Sequence, residues 1–487
     1  MPDDVFGEPV SALVRPRRKR QLTDTEQRSV GQRIEDCLDY PVIYDLAELL
    51  PPPGHVGCPR RYPSLVYLLL ASLMPVTGSK RSAVGALTTP AQWSRVRAAV
   101  RRHAGRRAAA LLAPVPPSRT QYLYAEENIL APHIDMLQEA FEDHALEQAT
   151  SQGLFPAEAA RNWAGPRRGQ LLAGDATVPK APSKAEQATT EDTATGRVLS
   201  HRVDPAARVY YENGEKAKRA ARGTKWFFAS GREDGYWRRV ILAFRHVQGG
   251  AYEDEAAVAV RTFTRLASHL PGCMGVLYDG AFRGTHRDTL ARQGLLVINK
   301  QHGSTTPRAY ELLRYGRCRH DLWCQDGRIA ERISLDDGTS HLVPIPVTRL
   351  EPRLGAAKSR WYHLLRIPCR HGAHTLRVPV AITTTPADRT STDRATGKRR
   401  PSDTERDFHR AEHLQQIPQN TRAHQMLYPY RSDAESLHNQ LDQSLWNRRM
   451  ISYGLARQKI YILGFALAQN ATSHRLHQDR GRQPDGW

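Results

Sequence analysis

Three carboxylates and a short block of aromatic and basic side chains are the groups in this chain whose types and spacing could do chemistry. Asp175 closes the apolar run LLAGD, and Asp279 closes GVLYD; both runs read as short buried strands. Ligand sites in α/β sheets gather at the C-terminal ends of strands. A single Asp there serves equally well as a turn cap. Two of them, with Glu435 on a later helix, make a set of hard oxygen donors of the kind that holds Mg2+ together with substrate phosphates. Ahead of Glu435 runs Tyr428-Pro-Tyr-Arg431-Ser-Asp-Ala. Arg431 lies one helical turn before the Glu, and its planar fork of donors suits a phosphate. Tyr428 suits a phosphate hydrogen bond or stacking on a displaced base; the plainer alternatives are a structural ion pair for Arg431 and a half-buried ring for Tyr428. On a helix Glu435, His438, Asn439 and Asp442 share one face, with Trp446 and Arg449 close to it, while Leu437, Leu441 and Leu445 point to a core. Two looser groups, Cys318, His320 and Cys324, then Cys369, His371 and His374, hold zinc-type ligands. They lack the tight Cys-x2–4-Cys pairs of known fingers, so buried or idle cysteines are the simpler reading. No hydrolase elbow accompanies the serines and histidines.

Elements that would position these groups follow from periodicity and turn chemistry. Residues 31 to about 150 read as helical, with an apolar stretch at 65–74 and a helix interrupted at Pro132. Residues 79–87, a turn at Thr88-Thr89-Pro90 and residues 91–112 suit a helix-turn-helix, with Arg95, Arg97, Arg101, Arg102, Arg106 and Arg107 on its second element. A purely structural helix pair fits them too. The pattern then becomes α/β: a strand ending on Asp175, a polar stretch at 179–223 with the composition of a long loop, and a hairpin from 225–230 and 238–246. A helix at 254–270, a strand ending at Asp279, a helix at 285–293 and the strand LLVIN follow. From about 300 to 420 short alternating apolar groups predict a β-rich, partly irregular insertion with an exposed basic loop at 389–400. Helix returns at 432–445 and about 452–474.

At this point the chain resembles the insertion-sequence transposases with a ribonuclease-H-like DDE core. The Tyr428/Arg431/Glu435 block matches the Tyr-x2-Arg-x3-Glu part of that family's signature, and DAT at Asp175 and DGAF at Asp279 resemble its first and second Asp motifs. The resemblance covers roughly residues 165–300 and 421–475. It implies an α/β fold: a ribonuclease-H-like mixed sheet with flanking helices, a β-rich insertion before the Glu helix, and a helical N-terminal domain. The implied organisation is a basic tail at 1–30 and a helical DNA-binding or dimerisation domain at 31–165. The catalytic core follows at 166–300, the insertion at 301–420, and the rest of the core with the Glu helix at 421–487. It implies two Mg2+ or Mn2+ ions, with Asp175 bridging both and Asp279 and Glu435 completing one site each. Tyr428, Arg431, Trp446 and Arg449 become DNA contacts. The partners would be double-stranded DNA, as terminal inverted repeats and target, met by a homodimer in the nucleoid of a bacterial cytoplasm. One position departs: where the family signature has Lys or Arg, this chain has Asp442. Either Arg449 replaces that charge, or Asp442 is a plain surface residue.

Composition agrees with a polyanion partner. The chain has 487 residues, about three folding units on a prior of roughly 150 residues each. Its net charge is +20, and 59 of its 70 basic residues are Arg. A GC-rich genome explains part of the Arg/Lys ratio but little of the net charge, which favours binding to phosphate-rich partners. A run at Arg15, Arg17, Arg18, Lys19 and Arg20 reads as a solvated tail or an arm that assists DNA binding. No stretch reaches the ~20 apolar residues of a membrane span, no charged-then-apolar leader opens the sequence, and six Cys suit a reducing cytosol. Two functional classes remain: an active transposase, or a decayed or repurposed one that binds DNA without catalysis. An RNA-directed relative has no visible single-strand stacking module to support it.

Overall fold

Capping signals open the fold: Ser29 accepts from the backbone of Gln32 while the Gln32 side chain returns to Ser29, which starts the first helix. The computed structural model describes residues 4–7, 28–52, 62–211, 220–235, 237–248, 254–355, 359–386 and 401–482. Helices come first: α1 (Val30–Leu38), α2 (Pro41–Glu48), α3 (Ser64–Thr77), α4 (Lys80–Ala86), α5 (Pro90–His103), α6 (Gly105–Ala110), α7 (Arg119–Ala125) and α8 (Ile134–Ser151). Strand β1 (Leu171–Thr177) follows, then β2 (Thr189–Glu191), β3 (Val198–Ser200), β4 (Arg208–Tyr211), β5 (Ala220–Gly223), β6 (Lys225–Arg232) and β7 (Arg239–Val247). After α9 (Glu255–His269) come β8 (Gly275–Leu277), α10 (Gly284–Arg292) and β9 (Leu296–Ile298). The insertion supplies β10 (Arg308–Tyr315), β11 (Cys318–Gln325), β12 (Arg328–Ser334), β13 (Ser340–Pro344), β14 (Val347–Arg353), β15 (Arg360–Ile367) and β16 (His374–Val380). Last are α11 (Arg410–His413), α12 (Arg422–Leu427), α13 (Ser432–Ser444) and α14 (Leu455–Arg482).

The fold is mixed α/β. Strands β7, β6, β1, β8 and β9, in that order, form a mixed sheet. β6 and β7 are an antiparallel hairpin, while β1, β8 and β9 run parallel. Parallel strands need crossovers, and α9 and α10 precede β8 and β9 as those crossovers. Small antiparallel sheets account for the remaining strands. Among the described residues no helix is long and apolar enough to cross a membrane.

The chain divides into two compact units, and the first holds Phe155–Asp175, Ala256–Asp433 and the N-terminal segment. Its parallel strands pair Leu171 with Gly275 and Ala173 with Leu277. Gly275 is needed there, because a Cβ would stand 2.5 Å from the Leu296 carbonyl oxygen. One apolar core joins these strands to the insertion: Leu171, Leu277 and Ile298 share it with Leu322, Trp361, Leu365 and Val378. The buried Trp361 indole donates to Ala291 O at 2.8 Å, which ties β15 to α10. Two residues inside the stretch read as a tail are packed here: Phe6 is 1 % exposed and Asp4 pairs with Arg328. The basic runs at 15–20 and 389–400 lie outside the described residues.

The second unit holds Arg20–Leu154, Ala176–Glu255 and Ala434–Trp487. α3 is apolar on every side and almost wholly buried, the mark of a central helix. α14 passes it so closely that a Cβ on Gly464 would stand 2.2 Å from Ala71 O. The Asn470 side chain grips Ile241 of β7, accepting from its N–H at 2.8 Å and donating to its carbonyl at 2.9 Å. Between α7 and α8 the chain widens into a π turn at Glu126–Leu130 just ahead of Pro132, which lacks the N–H an α-helix needs. The polar stretch 179–223 is not one long loop: β2 pairs with β3 and β4 with β5. β2 and β3 are exposed throughout, so no buried face marked them in the sequence.

Candidate functional site

Within the first unit the two aspartates belong to neighbouring parallel strands or to the residues just past them. Asp175 and Asp279 each lie two residues beyond the last registered pair, Ala173 with Leu277. Both are half-buried. β1 continues to Thr177, so Asp175 sits inside its strand; Asp279 follows the end of β8 and its Oδ1 accepts from Ala281 N at 2.9 Å.

The block far along the chain comes back to the first of these residues. Tyr428–Arg431 is a 3-10 turn leading into α13, and Arg431 Nη1 reaches Asp175 Oδ2 at 3.3 Å. The block also holds the start of β1: Arg168, just before that strand, pairs with buried Asp433 and lies over the Tyr430 ring at 5.0 Å. The Tyr428 ring has Lys300 Nζ at 5.3 Å, the Arg431 guanidinium carbon at 5.9 Å and His424 stacked at 5.2 Å. These cations beside an aromatic face are attracted by its quadrupole.

A buried polar chain links this aromatic group to the Asp279 loop. Asn299, fully buried after β9, donates to Phe282 O at 3.2 Å and lies 3.4 Å from Asp279 O. Its own carbonyl accepts from Gln415 at 2.8 Å and from His424 Nε2 at 3.3 Å. Burial pushes the His424 imidazole down to about 4, against the raising effect of the Asn299 contact, so the ring is neutral near pH 7 and donates through Nε2. Sequence reasoning misses Asn299, His424 and Lys300. The signal it could have used is Asn299 closing LLVIN, a third apolar strand ending on a polar residue.

Glu435, Trp446 and Arg449 belong to the second unit, where α13 buries Leu437 and Leu441 as its periodicity requires and leaves Glu435 exposed, and Leu445, just past the helix, is buried too. Trp446 is 70 % exposed, on a turn whose next two residues, Asn447 and Arg448, are left-handed at φ 52° and 55°. That conformation costs roughly 1–2 kcal/mol per non-glycine residue. Arg449 donates from Nη1 to Ala181 O at 2.9 Å, so this part of its guanidinium holds the chain's own backbone.

Asp442, where the family signature has Lys or Arg, is not a fully exposed surface residue. It is half-buried, and burial raises its carboxyl above the usual value although Arg448 and Lys180 pull the other way. A raised folded value means the contribution to stability is full below the unfolded value and is lost as pH rises through the folded one. At pH 7 the charge therefore costs stability, and Asp442→Asn should leave Tm unchanged or raise it in a thermal melt. A clear fall would mean that Lys180 and Arg448 outweigh the burial.

The Arg-rich helix offers basic surface in the same unit. Arg95 and Arg102 of α5 are tied to Glu35 and Asp39, whereas Arg97, Arg101, Arg106 and Arg107 are exposed. No protein-family model matches the chain and no curated protein matches it, so the functional reading rests on these side chains.

Proposed function

We propose that this chain is a DDE-type DNA transposase that cuts and joins the ends of an insertion sequence by metal-dependent phosphoryl transfer. One observation carries the reading. Arg431 belongs to the block that resembles the family signature, and it reaches the carboxylate of Asp175, the first Asp motif, on a strand paired in parallel with β8, which Asp279 follows. A mixed sheet with an antiparallel hairpin, parallel strands and helical crossovers supports a ribonuclease-H-like core, with β10–β16 as the insertion before the Glu helix.

The donor set suits hard cations, since Asp175 inside β1 and Asp279 just past β8 offer carboxylate oxygens. Asp175, Asp279 and Glu435 would hold two Mg2+ or Mn2+ ions. When bound, such ions supply activation of the attacking water or 3′-hydroxyl and stabilisation of the leaving oxygen. The chain's own groups do the rest. Arg431 exchanges its ion pair with Asp175 for a DNA phosphate, which frees the carboxylate and fixes the strand in one event. Lys300 adds a second cation beside it, and Tyr428 presents a ring edge or hydroxyl to the backbone or a displaced base. Trp446, held out on its strained turn, has the exposed aromatic surface that stacks on a base. Arg449 adds charge near the Glu helix. The partners are double-stranded DNA, as terminal inverted repeats and target, and the protein works as a homodimer in the bacterial nucleoid.

A second reading, a decayed transposase that binds DNA without catalysis, is favoured by Asp442, an acid where the family has a base. Incubating the protein with DNA that spans both flanks of its gene tests the two. Cuts at paired inverted repeats that need Mg2+ or Mn2+, with Ca2+ supporting binding alone, are expected from the enzyme. Binding without cuts under every cation would leave the second reading. Either reading requires phosphate contacts. Affinity for a nonspecific duplex should fall by roughly 10³–10⁵ between 50 and 200 mM salt if about 6–10 phosphates are neutralised. Fluorescence anisotropy measures this, and a flat response would remove the argument from charge.

A further inference from the structure

Four of the six zinc-type ligands noted in the sequence meet in the insertion. We propose that Cys318, His320, Cys369 and His374 form a structural zinc site that fastens the end of one hairpin to the end of another. Their ligand atoms all lie within 4.8 Å of one another, and among the described residues this is the one such group of three or more. Cys318 opens β11 straight after the turn from β10, and strand alternation puts His320 on the same face. Both are buried, at 7 % and 4 % exposure. Cys369 lies in the turn between β15 and β16, and His374 opens β16 opposite Ile367. Each hairpin end thus gives one thiol and one imidazole. The two sulfurs are 3.5 Å apart. Tetrahedral zinc with Zn–S bonds of about 2.3 Å sets its sulfurs roughly 3.8 Å apart, so little movement is needed.

The surroundings point to a cation as well. His320 Nδ1 meets Glu331 Oε1 at 2.7 Å, while its Nε2 is buried with no hydrogen-bond partner. A carboxylate on one ring nitrogen that leaves the other for a metal is the usual support of a zinc-bound histidine. Nε2 of His374 is likewise buried without a partner, and its ring is clamped by Tyr315 stacked at 4.8 Å and by the His320 edge at 5.2 Å. Two orphaned ring nitrogens in one pocket are costly unless something accepts their lone pairs. Mixed thiolate and imidazole donors in a tetrahedral set select zinc among the common divalent ions. His371, exposed, has Nδ1 3.3 Å from the Cys318 sulfur and 3.8 Å from that of Cys369, where its N–H can donate to a thiolate. Binding releases the two thiol protons and gives a neutral centre of one Zn2+, two thiolates and two neutral imidazoles.

This site is separate from the aspartate chemistry, and its test needs no activity. The full chain, purified without added metal and washed in Mg2+-free buffer, should carry one zinc per molecule by mass spectrometry of the metal. After removal of that zinc, added Co2+ should give the intense visible bands of tetrahedral cobalt with thiolate charge transfer. Cys318→Ser, Cys369→Ser and His374→Ala should lose the metal, whereas His371→Ala and Cys324→Ala should keep it. Glu331→Gln should weaken zinc binding by roughly 10–100-fold. A wild type without zinc and without a tetrahedral cobalt spectrum would overturn the proposal, as would a Cys318–Cys369 disulfide in freshly isolated protein. Loss of metal in His371→Ala but not in His374→Ala would overturn this ligand set. If the ligand variants fail to fold, the wild-type stoichiometry and cobalt spectrum decide alone.

Discussion

Asp175→Asn, Asp279→Asn and Glu435→Gln should each lower DNA cleavage by several orders of magnitude while leaving DNA binding in place. Each change keeps the shape of the side chain but removes a negative charge from the proposed oxygen-donor set, and neutral amides are poorer ligands for hard cations. The effect is large because both nucleophile activation and leaving-group stabilisation depend on that set. Binding rests on the basic surface, so removing an anion should leave it intact or tighten it. Asp175→Asn carries a second consequence that the other two do not. The Asp175 carboxylate holds Arg431 at 3.3 Å, and weakening that contact frees the guanidinium for phosphate. Tighter DNA binding in Asp175→Asn than in Asp279→Asn is the expected order, read by anisotropy at fixed salt. Arg431→Lys should weaken binding, since a point charge cannot reproduce the bidentate fork. Mutants that cut as well as the wild type would sink the carboxylate assignment. A wild type that never cuts would leave a DNA-binding protein.

Much of the local structure around these residues is legible in the sequence because local signals coincide. An apolar run ending in Asp marks a strand, although β1 runs on past Asp175 to Thr177 and only Asp279 follows a strand end, and the leucine spacing of α13 is enough to define its buried face. What sequence does not supply is convergence over long separations. Arg431 is readable as a phosphate ligand, but its ion pair with Asp175 depends on how the chain returns to β1. Asn299 and His424 act through burial, and burial of a polar residue leaves no periodic trace. The zinc-type residues show the same limit. A local search favours two ligands in one tight Cys-x2–4-Cys turn, whereas here the pairs come from two hairpin ends joined by sheet packing. Cys324 shares the face of Cys318 and His320, yet four residues of strand beyond His320 place it roughly 13 Å further on. It is buried in the apolar core instead, where desolvation pushes its thiol up to about 12. Phe6 is hidden for a different reason: a single apolar residue in a polar segment has no period to detect.

Asp403→Ala should destabilise the first unit by about 3–5 kcal/mol, the usual cost of stranding one partner of a buried ion pair. Asp403 is fully buried, and its carboxylate is satisfied on every side. It accepts from Arg410 Nε and Nη2 at 2.7 Å each, from Arg406 Nη2 at 3.0 Å and from Thr384 N at 2.8 Å. Arg410 spends its remaining donor on Pro379 O of β16 at 2.7 Å and the Tyr310 hydroxyl of β10 at 3.3 Å. The pair therefore ties both insertion sheets to the segment that leads into α11. Removing the acid leaves a buried guanidinium with a carbonyl and a hydroxyl but no counter-charge. Arg410→Ala should cost a similar amount, and the double variant less than the sum, because the two act as one unit. The pH dependence carries a sign. Burial alone would raise the Asp403 carboxyl, but the hydrogen bonds and charge of Arg410 outweigh it and hold the group below its usual value. A depressed folded value gives stability that is present above the unfolded value, about pH 4, and is lost as pH falls through the folded one. Wild-type stability should therefore drop more steeply below about pH 4 than that of Asp403→Asn, whose side chain does not titrate. Denaturant unfolding of the full chain at several pH values measures both effects. Parallel acid profiles, with Asp403→Ala within about 1 kcal/mol of wild type, would mean that the insertion is held by its apolar core alone and that this pair only occupies space within it.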